Sequence, residues 1–522
     1  MRAIKNYFPS ILFIVIPLAL LFLNLQIRPL FGVEGRWAEA AREMYLRKSW
    51  FVPTINFEPH LTKPLLPFWL IKISGMLLGK FNEFSVRLPA AFSGFITLIA
   101  FFFLSKRLFT SKTLWQPYLL LTSMGFVYFV RLAQSEIFQL CWITCALTIY
   151  VYSINHTSFW RYFLIWIFSI MGALSKGHTS FVATIFPMVI DVVVNKRYYH
   201  LNYKNFIAAL IAFGLYSLPI IGSCIESGSH LPLNLLIREN IGQAINPYDN
   251  LRPFYIYLLW WPTWLAPWSI FLPLALFYFL KNYRKLQPEL QLAIIAVFVI
   301  FIAFTLAKAR RSYYILPIVP YSIIIISYYL ETNRKIIHLI LNIMLRIFAI
   351  LSLLCPLLVF IFLKITKTNN IVPFILYSSI IAILALFVVI CKELKKIVKL
   401  ILLVSFIEIL YFCFLQPLLS TRSYMEVAEF AKNKLQVLQK NGIEGRLCTY
   451  KWVSENLYFY LDQTGPIPSY EDWDMALKNC EVIVLRGGLL EGKREKGEVF
   501  CKKGKGERKF YCVFKKRYIN KN

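Results

Sequence analysis

Long apolar runs recur along the first 419 residues, and they constrain the fold more than any other feature. A helix needs about 20 apolar residues to cross a bilayer. Composition agrees, because 58% of the 522 residues are apolar and only 16% are charged, against about 25% in soluble domains. We predict an all-α polytopic membrane domain, residues 1–419, with thirteen spans at 8–27, 86–104, 114–130, 137–154, 160–174, 179–194, 206–224, 254–280, 290–306, 312–330, 339–363, 371–391 and 398–417.

The positions of Lys and Arg predict how these spans are oriented. Short cytoplasmic loops are enriched in Lys and Arg, and a cytoplasmic N-terminus makes every alternate loop basic. Thirteen spans then leave the C-terminus outside. The predicted inner loops carry Lys106, Arg107, Lys112, Arg161, Lys196, Arg197, Lys204, Lys281, Arg284, Lys285, Arg334, Lys335, Lys392, Lys395, Lys396 and Lys399.

Several predicted outer segments are also basic, which the orientation rule does not explain. The net charge of +30 suits nucleic acid, anionic lipid or an anionic substrate. Because no nucleic-acid motif or basic amphipathic arm is present, we predict an anionic ligand at the outer membrane face and no nucleic-acid partner. A shifted register of spans is the alternative. The cations concerned lie in the first extracytoplasmic loop, residues 28–85, and in the turns that carry Arg131, Lys176, Lys308, Arg310 and Arg311.

Beyond Ser420 the apolar runs stop, and residues 420–522 are predicted to form a small extracytoplasmic α/β domain. The pattern predicts an amphipathic helix at 425–439, strands at 446–450 and 481–485, and a hairpin at 499–514. Four of the ten cysteines lie here, where disulfides can form outside the cytoplasm. Cys501 and Cys512 flank the predicted turn, although cysteines of a hairpin need not lie opposite each other.

Two acids in the outer segments are candidates for chemistry at a lipid phosphate, which needs a carboxylate to activate or orient an acceptor. Glu34 begins Glu34-Gly35-Arg36, with Arg36 as a possible orienting group; a loop ion pair is the alternative. Glu136 lies at the start of the fourth span. An acid there is costly and usually functional, but it also suits the positive end of a helix dipole.

Such chemistry also needs cations that stabilise a departing phosphate. Lys63 is a compact point charge suited to phosphate, and Lys176 follows Ser175 in an outer turn. Lys308, Arg310 and Arg311 place three cations within four residues. A purely structural role explains such a cluster poorly, so we interpret it as a phosphate-binding turn.

The order of these segments resembles the GT-C glycosyltransferases, in particular the bacterial aminoarabinose transferases and the related protein O-mannosyltransferases. Residues 34–44, EGRWAEAAREM, resemble the D-E-x-R-Y-A-E…R-E-M signature of the former. Further matches in the same order are Trp50–Pro53, Thr62–Pro64 with Phe68-Trp69, Val86–Pro89, Ser175–Gly177 and Tyr314–Pro317. The motifs cover residues 1 to 330, and the rest resembles the family in layout only.

The resemblance implies thirteen spans, a first outer loop over the active cavity and a C-terminal outer domain in a bacterial inner-membrane protein. It also implies an undecaprenyl-phosphate sugar donor. Three positions depart from the family: its first-loop Asp is Val33, its E-K-P glutamate is Thr62, and its fourth-span Asp is Glu136. The family's metal proposal involves that E-K-P acid, which argues against a metal here.

We therefore predict transfer of one sugar, with inversion, from a polyprenyl-phosphate carrier to lipid A, another glycolipid, a glycan or a protein. Glu34 or Glu136 would act on the acceptor. Lys63, Lys308, Arg310 and Arg311 would hold the carrier phosphate, supported by Arg36, Lys176 and Tyr314 of the matched motif. A lipid or polysaccharide exporter is the non-enzyme alternative, but it should carry charges deep in many spans and repeat symmetry between halves. An O-antigen ligase or polymerase would not need this first-loop pattern.

Overall fold

A computed structural model describes residues 14–109, 115–242, 245, 251–365, 371–419, 424–442, 445–490, 497–502 and 511–516. Residues 8–13 of the first predicted span, Lys112 and the predicted turn at 503–506 lie outside these ranges. The chain forms two compact units. The first contains Met1–Asn24, Thr62–Pro67 and Ala90–Leu415, and the second contains Leu25–Leu61, Phe68–Pro89 and Gln416–Asn522.

Helices dominate the membrane part, as predicted. Within the described ranges, seven are long and apolar enough to cross a membrane: Glu83–Leu108, Ser135–Tyr152, Tyr203–Ser227, Pro288–Leu306, Lys335–Leu353, Val372–Ile390 and Lys396–Leu415. The pair Ile256–Leu265 and Trp268–Lys285 is bent by 114°. Other helices cover residues 14–22, Gln116–Leu121, Met124–Val130, Phe159–Lys176, Thr179–Ala183, Ile185–Val194, Leu231–Ile237, Val319–Glu331 and Cys355–Ile365. The count of thirteen spans stays a prediction.

Some predicted spans are divided, and at one break a backbone N–H bonds to a distant segment of the chain. The span predicted at 114–130 consists of two helices that meet at Thr122 and Ser123. Thr122 Oγ1 donates to the Tyr118 carbonyl at 2.5 Å, and Ser123 Oγ donates to the Leu120 carbonyl at 2.7 Å. Thr97 and Thr144 make the same kind of bond inside unbroken helices, so the hydroxyl groups alone do not cause the break. At this point the Met124 N–H donates to the Ala266 carbonyl at 2.9 Å instead of to its own helix, and an apolar run does not reveal such a partner.

The first loop contains a helix that was not predicted because prolines lie near its start. The periodicity of residues 36–46 predicts a helix, and Pro59, Pro64 and Pro67 predict a break in the later part of the loop. The helix is present at Glu34–Leu46, but Leu66–Leu78 is also helical. Pro67 is the second residue of that helix. The first turn of a helix does not use its backbone N–H groups, so proline is tolerated there. Residues 60–65 are non-helical, as the prolines predict, but the helix that begins beside Pro67 was not predicted.

The C-terminal part of the second unit is the predicted α/β structure. Helices Tyr424–Lys440, Glu455–Leu461 and Trp473–Asn479 accompany strands β3 (Leu447–Tyr450), β4 (Ser469–Tyr470), β5 (Val482–Arg486), β6 (Gly497–Lys502) and β7 (Tyr511–Lys516); β1 (Thr54–Ile55) and β2 (Glu58–Pro59) form a separate two-stranded sheet. The larger sheet has the order β4-β3-β5-β7-β6. Strands β4, β3 and β5 are parallel, and β7 runs antiparallel to β5 and β6.

Two disulfides connect this sheet region. Cys501 and Cys512 are direct partners in the register of β6 and β7 and are bonded. Cys448 is bonded to Cys480, 32 residues away, a pairing that the sequence did not suggest. Cys448 lies in β3, and both members of this second pair are buried in one apolar cluster.

We expect the Cys448–Cys480 disulfide to stabilise the second unit more than the Cys501–Cys512 disulfide does. Closing a loop of 32 residues is worth about 3–4 kcal/mol in the chain-entropy model, and closing one of 11 residues about 2.5–3 kcal/mol. The double variant Cys448→Ala/Cys480→Ala should therefore show the larger fall in thermal unfolding midpoint under oxidising conditions. A larger fall for Cys501→Ala/Cys512→Ala would contradict this ranking.

Candidate functional site

A buried ion pair between Glu136 and Lys176 lies at the centre of the site in the first unit. Glu136 is in the first turn of Ser135–Tyr152, and Lys176 is the last residue of Phe159–Lys176. Lys176 Nζ donates to Glu136 Oε1. Gly177 ends the second helix at a φ of +88°, a conformation that glycine adopts without strain. Each residue also suits its helix terminus, since the dipole favours an anion at the start and a cation at the end.

Two tyrosines surround the lysine. The ammonium group of Lys176 lies 4.9 Å from the ring centroid of Tyr313 and 5.0 Å from that of Tyr314. Both distances are within the range of a cation–π interaction. Arg311 Nη1 donates to the Tyr313 hydroxyl at 2.7 Å. The turn at 311–314 therefore brings a second cation and two aromatic rings to the Glu136–Lys176 pair.

Lys63 is the third cation of this group. The charges of Lys63 and Arg311 both act on the Lys176 ammonium group. Lys63 Nζ lies 3.3 Å from Glu239 Oε2. Arg238 Nη2 also lies 3.3 Å from Glu239 Oε1. Four cations therefore accompany two carboxylates, and the group is suited to bind a further anion such as a phosphate.

The other two cations that were predicted to form a cluster with Arg311 have different surroundings. Arg310 donates to the Thr305 carbonyl at 2.8 and 3.1 Å and to the Arg252 carbonyl at 2.9 Å. Its guanidinium group therefore holds two backbone segments together. Lys308 is exposed. Of the three residues predicted to act as one cluster, the structure brings only Arg311 to Lys176.

Glu34 lies in the second unit, where it is fully buried. Arg87 binds its carboxylate through two hydrogen bonds of 2.8 Å. The Phe31 N–H donates to it at 3.2 Å, and Arg28 lies 3.8 Å away. Arg87 also donates to three backbone carbonyls between residues 25 and 29. These contacts correspond to the structural ion pair that was the alternative to a catalytic role for Glu34.

Arg36 is paired with an acid that lies far away in the sequence. Its guanidinium group lies 3.0 Å from Glu455 Oε1. The neighbouring Gly35 N–H donates to Asn456 Oδ1 at 3.1 Å. A Cβ atom at position 35 would lie 2.5 Å from the Asn456 backbone, so the close approach of these helices requires glycine. The structure thus gives Arg36 a role in joining the first loop to the helix Glu455–Leu461.

Sequence reasoning missed two residues of the site, Glu239 and Tyr313. Glu239 lies in the π-helical segment Arg238–Gly242, 176 positions after its partner Lys63, and no local pattern links the two. Tyr313 lies two positions after Arg311. A cation followed by two adjacent tyrosines was the sequence pattern that could have identified Tyr313 as part of the site. Within the described residues, no group of three metal-ligating side chains is present.

Comparisons with known proteins agree with the resemblance predicted from the motifs. Residues 62–221 match the family model described as dolichyl-phosphate-mannose-protein mannosyltransferase. The undecaprenyl phosphate-alpha-4-amino-4-deoxy-L-arabinose arabinosyl transferase of Photorhabdus laumondii is 25% identical over 314 residues, and that of Yersinia enterocolitica is 26% identical over 325 residues. The alignments span 58% of this chain but only 56% and 55% of those relatives.

The fold is that of a solved membrane protein. The crystal structure of ArnT from Cupriavidus metallidurans bound to undecaprenyl phosphate superposes with a TM-score of 0.74, covering 97% of both chains at 16% identity. The predicted fold class, a polytopic helical membrane protein with a small C-terminal α/β region, is therefore confirmed.

Proposed function

We propose that this multi-pass membrane chain, which has the fold of ArnT, is a glycosyltransferase of the aminoarabinose-transferase type. It moves one sugar from a polyprenyl phosphate to an acceptor such as lipid A, another glycolipid or a protein. The observation that carries the proposal is the convergence of Lys176, Arg311 and Lys63 beside Glu136. The names of the relatives, arabinosyl transferases that use an undecaprenyl phosphate sugar, support the class of donor.

The reaction assigned to the site forms one bond and breaks one. The acceptor oxygen attacks the anomeric carbon of the sugar, and the bond from that carbon to the phosphate oxygen breaks. The phosphate stays on the polyprenyl chain and gains negative charge as the sugar departs. Lys176, Arg311 and Lys63 stabilise that charge because they are held in place before the reaction begins.

Glu136 acts on the acceptor in this proposal. An acceptor hydroxyl gives its proton to the carboxylate as the new bond forms. If the acceptor is already an ionised phosphate, Glu136 orients it without taking a proton. We prefer Glu136 to Glu34 because the Glu34 carboxylate is enclosed by Arg87, Arg28 and the Phe31 N–H. Placement in the bacterial inner membrane, with the site and the C-terminal region extracytoplasmic, is part of the same proposal.

Donor consumption by the purified full-length protein tests the function directly. The protein is reconstituted with a panel of polyprenyl-phosphate sugars and lipid A, and products are identified by mass spectrometry. We expect loss of one donor, release of free polyprenyl phosphate and a gain of one sugar mass on the acceptor. A membrane lipid profile that is identical with and without the gene, together with no turnover of any donor, would overturn the proposal.

A further inference from the structure

A second polar centre lies at the other end of the helices that carry Glu136 and Lys176. Tyr150 is in the last turn of Ser135–Tyr152, and Arg161 is in the first turn of Phe159–Lys176. At 1.5 Å per residue, each is about 20 Å along its helix from the candidate transfer site. A cavity of about 70 Å³ opens here among the ends of these helices, Ile185–Val194 and Tyr203–Ser227.

Arg161 lines this cavity, and its guanidinium group has one nitrogen without a hydrogen-bond partner. The side chain is 4% exposed. Its Nε donates to Ser153 Oγ at 2.9 Å, and Nη1 lies 3.2 Å from His200 Nδ1. Its Nη2 is buried without a hydrogen-bond partner. Leaving a buried charged donor unsatisfied is costly, so this nitrogen indicates an acceptor that binds there.

Protein groups around Arg161 do not neutralise its charge. The nearby carboxylate of Asp191 accepts from Tyr150 at 2.6 Å and from Asn195 at 2.7 Å, and it pairs with Arg197 at 3.1 Å. In the described part of the chain, no carboxylate lies within ion-pair distance of Arg161. A cation in the first turn of a helix also opposes the dipole. Both the guanidinium group and the helix terminus therefore favour an added anion.

His200 is a neutral neighbour. Its Nε2–H donates to the Ile154 carbonyl at 2.8 Å, and Nδ1 accepts from Arg161 and from the Tyr162 hydroxyl, 2.9 Å away. Burial, followed by the charge of Arg161, lowers the pKa of His200 to about 4. At neutral pH the imidazole therefore accepts one Arg161 hydrogen bond but supplies no negative charge.

The remaining walls of the cavity are mostly apolar. Ile165, Trp166, Ile185, Met188, Val189 and Val192 line it beside the polar groups. Val189 and Leu201, which also lines the cavity, are exposed on the surface of the helix bundle. A ligand that fits must therefore present a negative group to Arg161 and an apolar part to these side chains. Anionic phospholipids have both parts.

We propose that this cavity binds the phosphate of an anionic phospholipid, with Arg161 as the donor to the phosphate oxygen and the first part of an acyl chain against Val189. The segment between Ile185–Val194 and Tyr203–Ser227 carries Lys196 and Arg197, and Lys204 lies in the first turn of the latter helix. These cations were predicted to be cytoplasmic, so the lipid belongs to the cytoplasmic leaflet. This site does not depend on the proposed transferase activity. Phosphate is the shared chemistry of a lipid head group and a free anion, and the experiment separates the two.

Native mass spectrometry of the full-length protein tests the proposal. The protein is purified from membranes, exchanged into phosphatidylcholine nanodiscs, and titrated with phosphatidylglycerol vesicles or with inorganic phosphate. We expect wild-type protein to retain phosphatidylglycerol selectively. Arg161→Gln should bind it about tenfold more weakly, the effect typical of losing one hydrogen bond to a charged group. Lys196→Gln removes an exposed charge from the same end of the bundle and should bind as wild type does.

A second variant covers the case in which Arg161→Gln does not fold. Val189→Trp changes a half-exposed position and leaves every Arg161 contact in place. It should reduce phosphatidylglycerol retention because it fills the apolar part of the cavity. Equal retention by wild type, Arg161→Gln and Val189→Trp would overturn the site. Saturation of wild type by inorganic phosphate alone, without lipid selectivity, would overturn the assignment to a lipid.

Discussion

Replacing Lys176 with Met is expected to lower the rate of sugar transfer by about 100- to 1,000-fold, the usual effect of removing one preorganised group that stabilises developing charge. Lys176 is the cation on which the charges of Arg311 and Lys63 and the carboxylate of Glu136 converge. Methionine is unbranched and fills the same buried space without charge. Because the lost interaction strengthens as the phosphate departs, the effect should be on kcat more than on KM.

The measurement is single-turnover donor consumption by variants of matched folded amount. Lys335→Met, an exposed lysine at the start of another helix, is the control and should keep wild-type turnover. Glu136→Gln should also be strongly impaired, and the double variant should be no worse than the more damaged single variant, since residues that act as a unit are not additive. A Lys176→Met protein that is folded and turns over normally would remove Lys176 from the mechanism.

Glu34 and Glu136 show how far sequence reasoning reached in this site. Both are acids in predicted outer segments, and the sequence offered no means of ranking them. The partner of Glu34 is Arg87, 53 positions later. In the sequence Arg87 was noted only as part of the motif Val86–Pro89, with no indication that it pairs with an acid. Lys63 and Glu239 are separated further still. Ion pairs that join distant segments depend on tertiary packing, and one sequence does not reveal which charges meet.

The cations of the predicted outer turns also form two groups that the sequence did not distinguish. Arg131 donates to the carbonyls of Leu20 and Leu23 at 2.8 and 2.7 Å, and Arg310 binds other backbone carbonyls. Lys63, Lys176 and Arg311 converge instead on one place. The number of Lys and Arg residues in the predicted outer segments indicated that membrane orientation alone does not explain them. It did not separate those that complete the hydrogen bonding of buried backbone from those that gather at a site.

Element positions were more predictable than contacts because they depend on local patterns. The helix predicted at 425–439 is Tyr424–Lys440, and the strand predicted at 481–485 is Val482–Arg486. Long apolar runs likewise marked the seven helices of the described ranges that are long and apolar enough to cross a membrane. The break at Thr122 and Ser123 was missed because the Met124 N–H bonds to the Ala266 carbonyl, a distant partner that no local pattern reveals.

Replacing Glu34 with Gln is expected to lower the free energy of unfolding by about 3–5 kcal/mol, the cost of removing one partner from a buried ion pair. The carboxylate is fully buried and receives both arms of the Arg87 fork. A neutral amide has only one acceptor oxygen for those two donors, and it leaves the buried guanidinium charge without a counter-ion.

A double-variant cycle separates this structural role from catalysis. Glu34→Leu/Arg87→Met removes both charges, and it should be more stable than either Glu34→Leu or Arg87→Met because neither member of the Glu34–Arg87 pair is left buried without the other. Thermal unfolding and turnover per folded molecule are measured on the same preparations. If Glu34 is structural, turnover per folded molecule in Glu34→Gln stays within a few-fold of wild type while the unfolding midpoint falls. An unchanged midpoint with a hundredfold loss of turnover would instead identify Glu34 as the catalytic acid, and the role proposed for Glu136 would then be wrong.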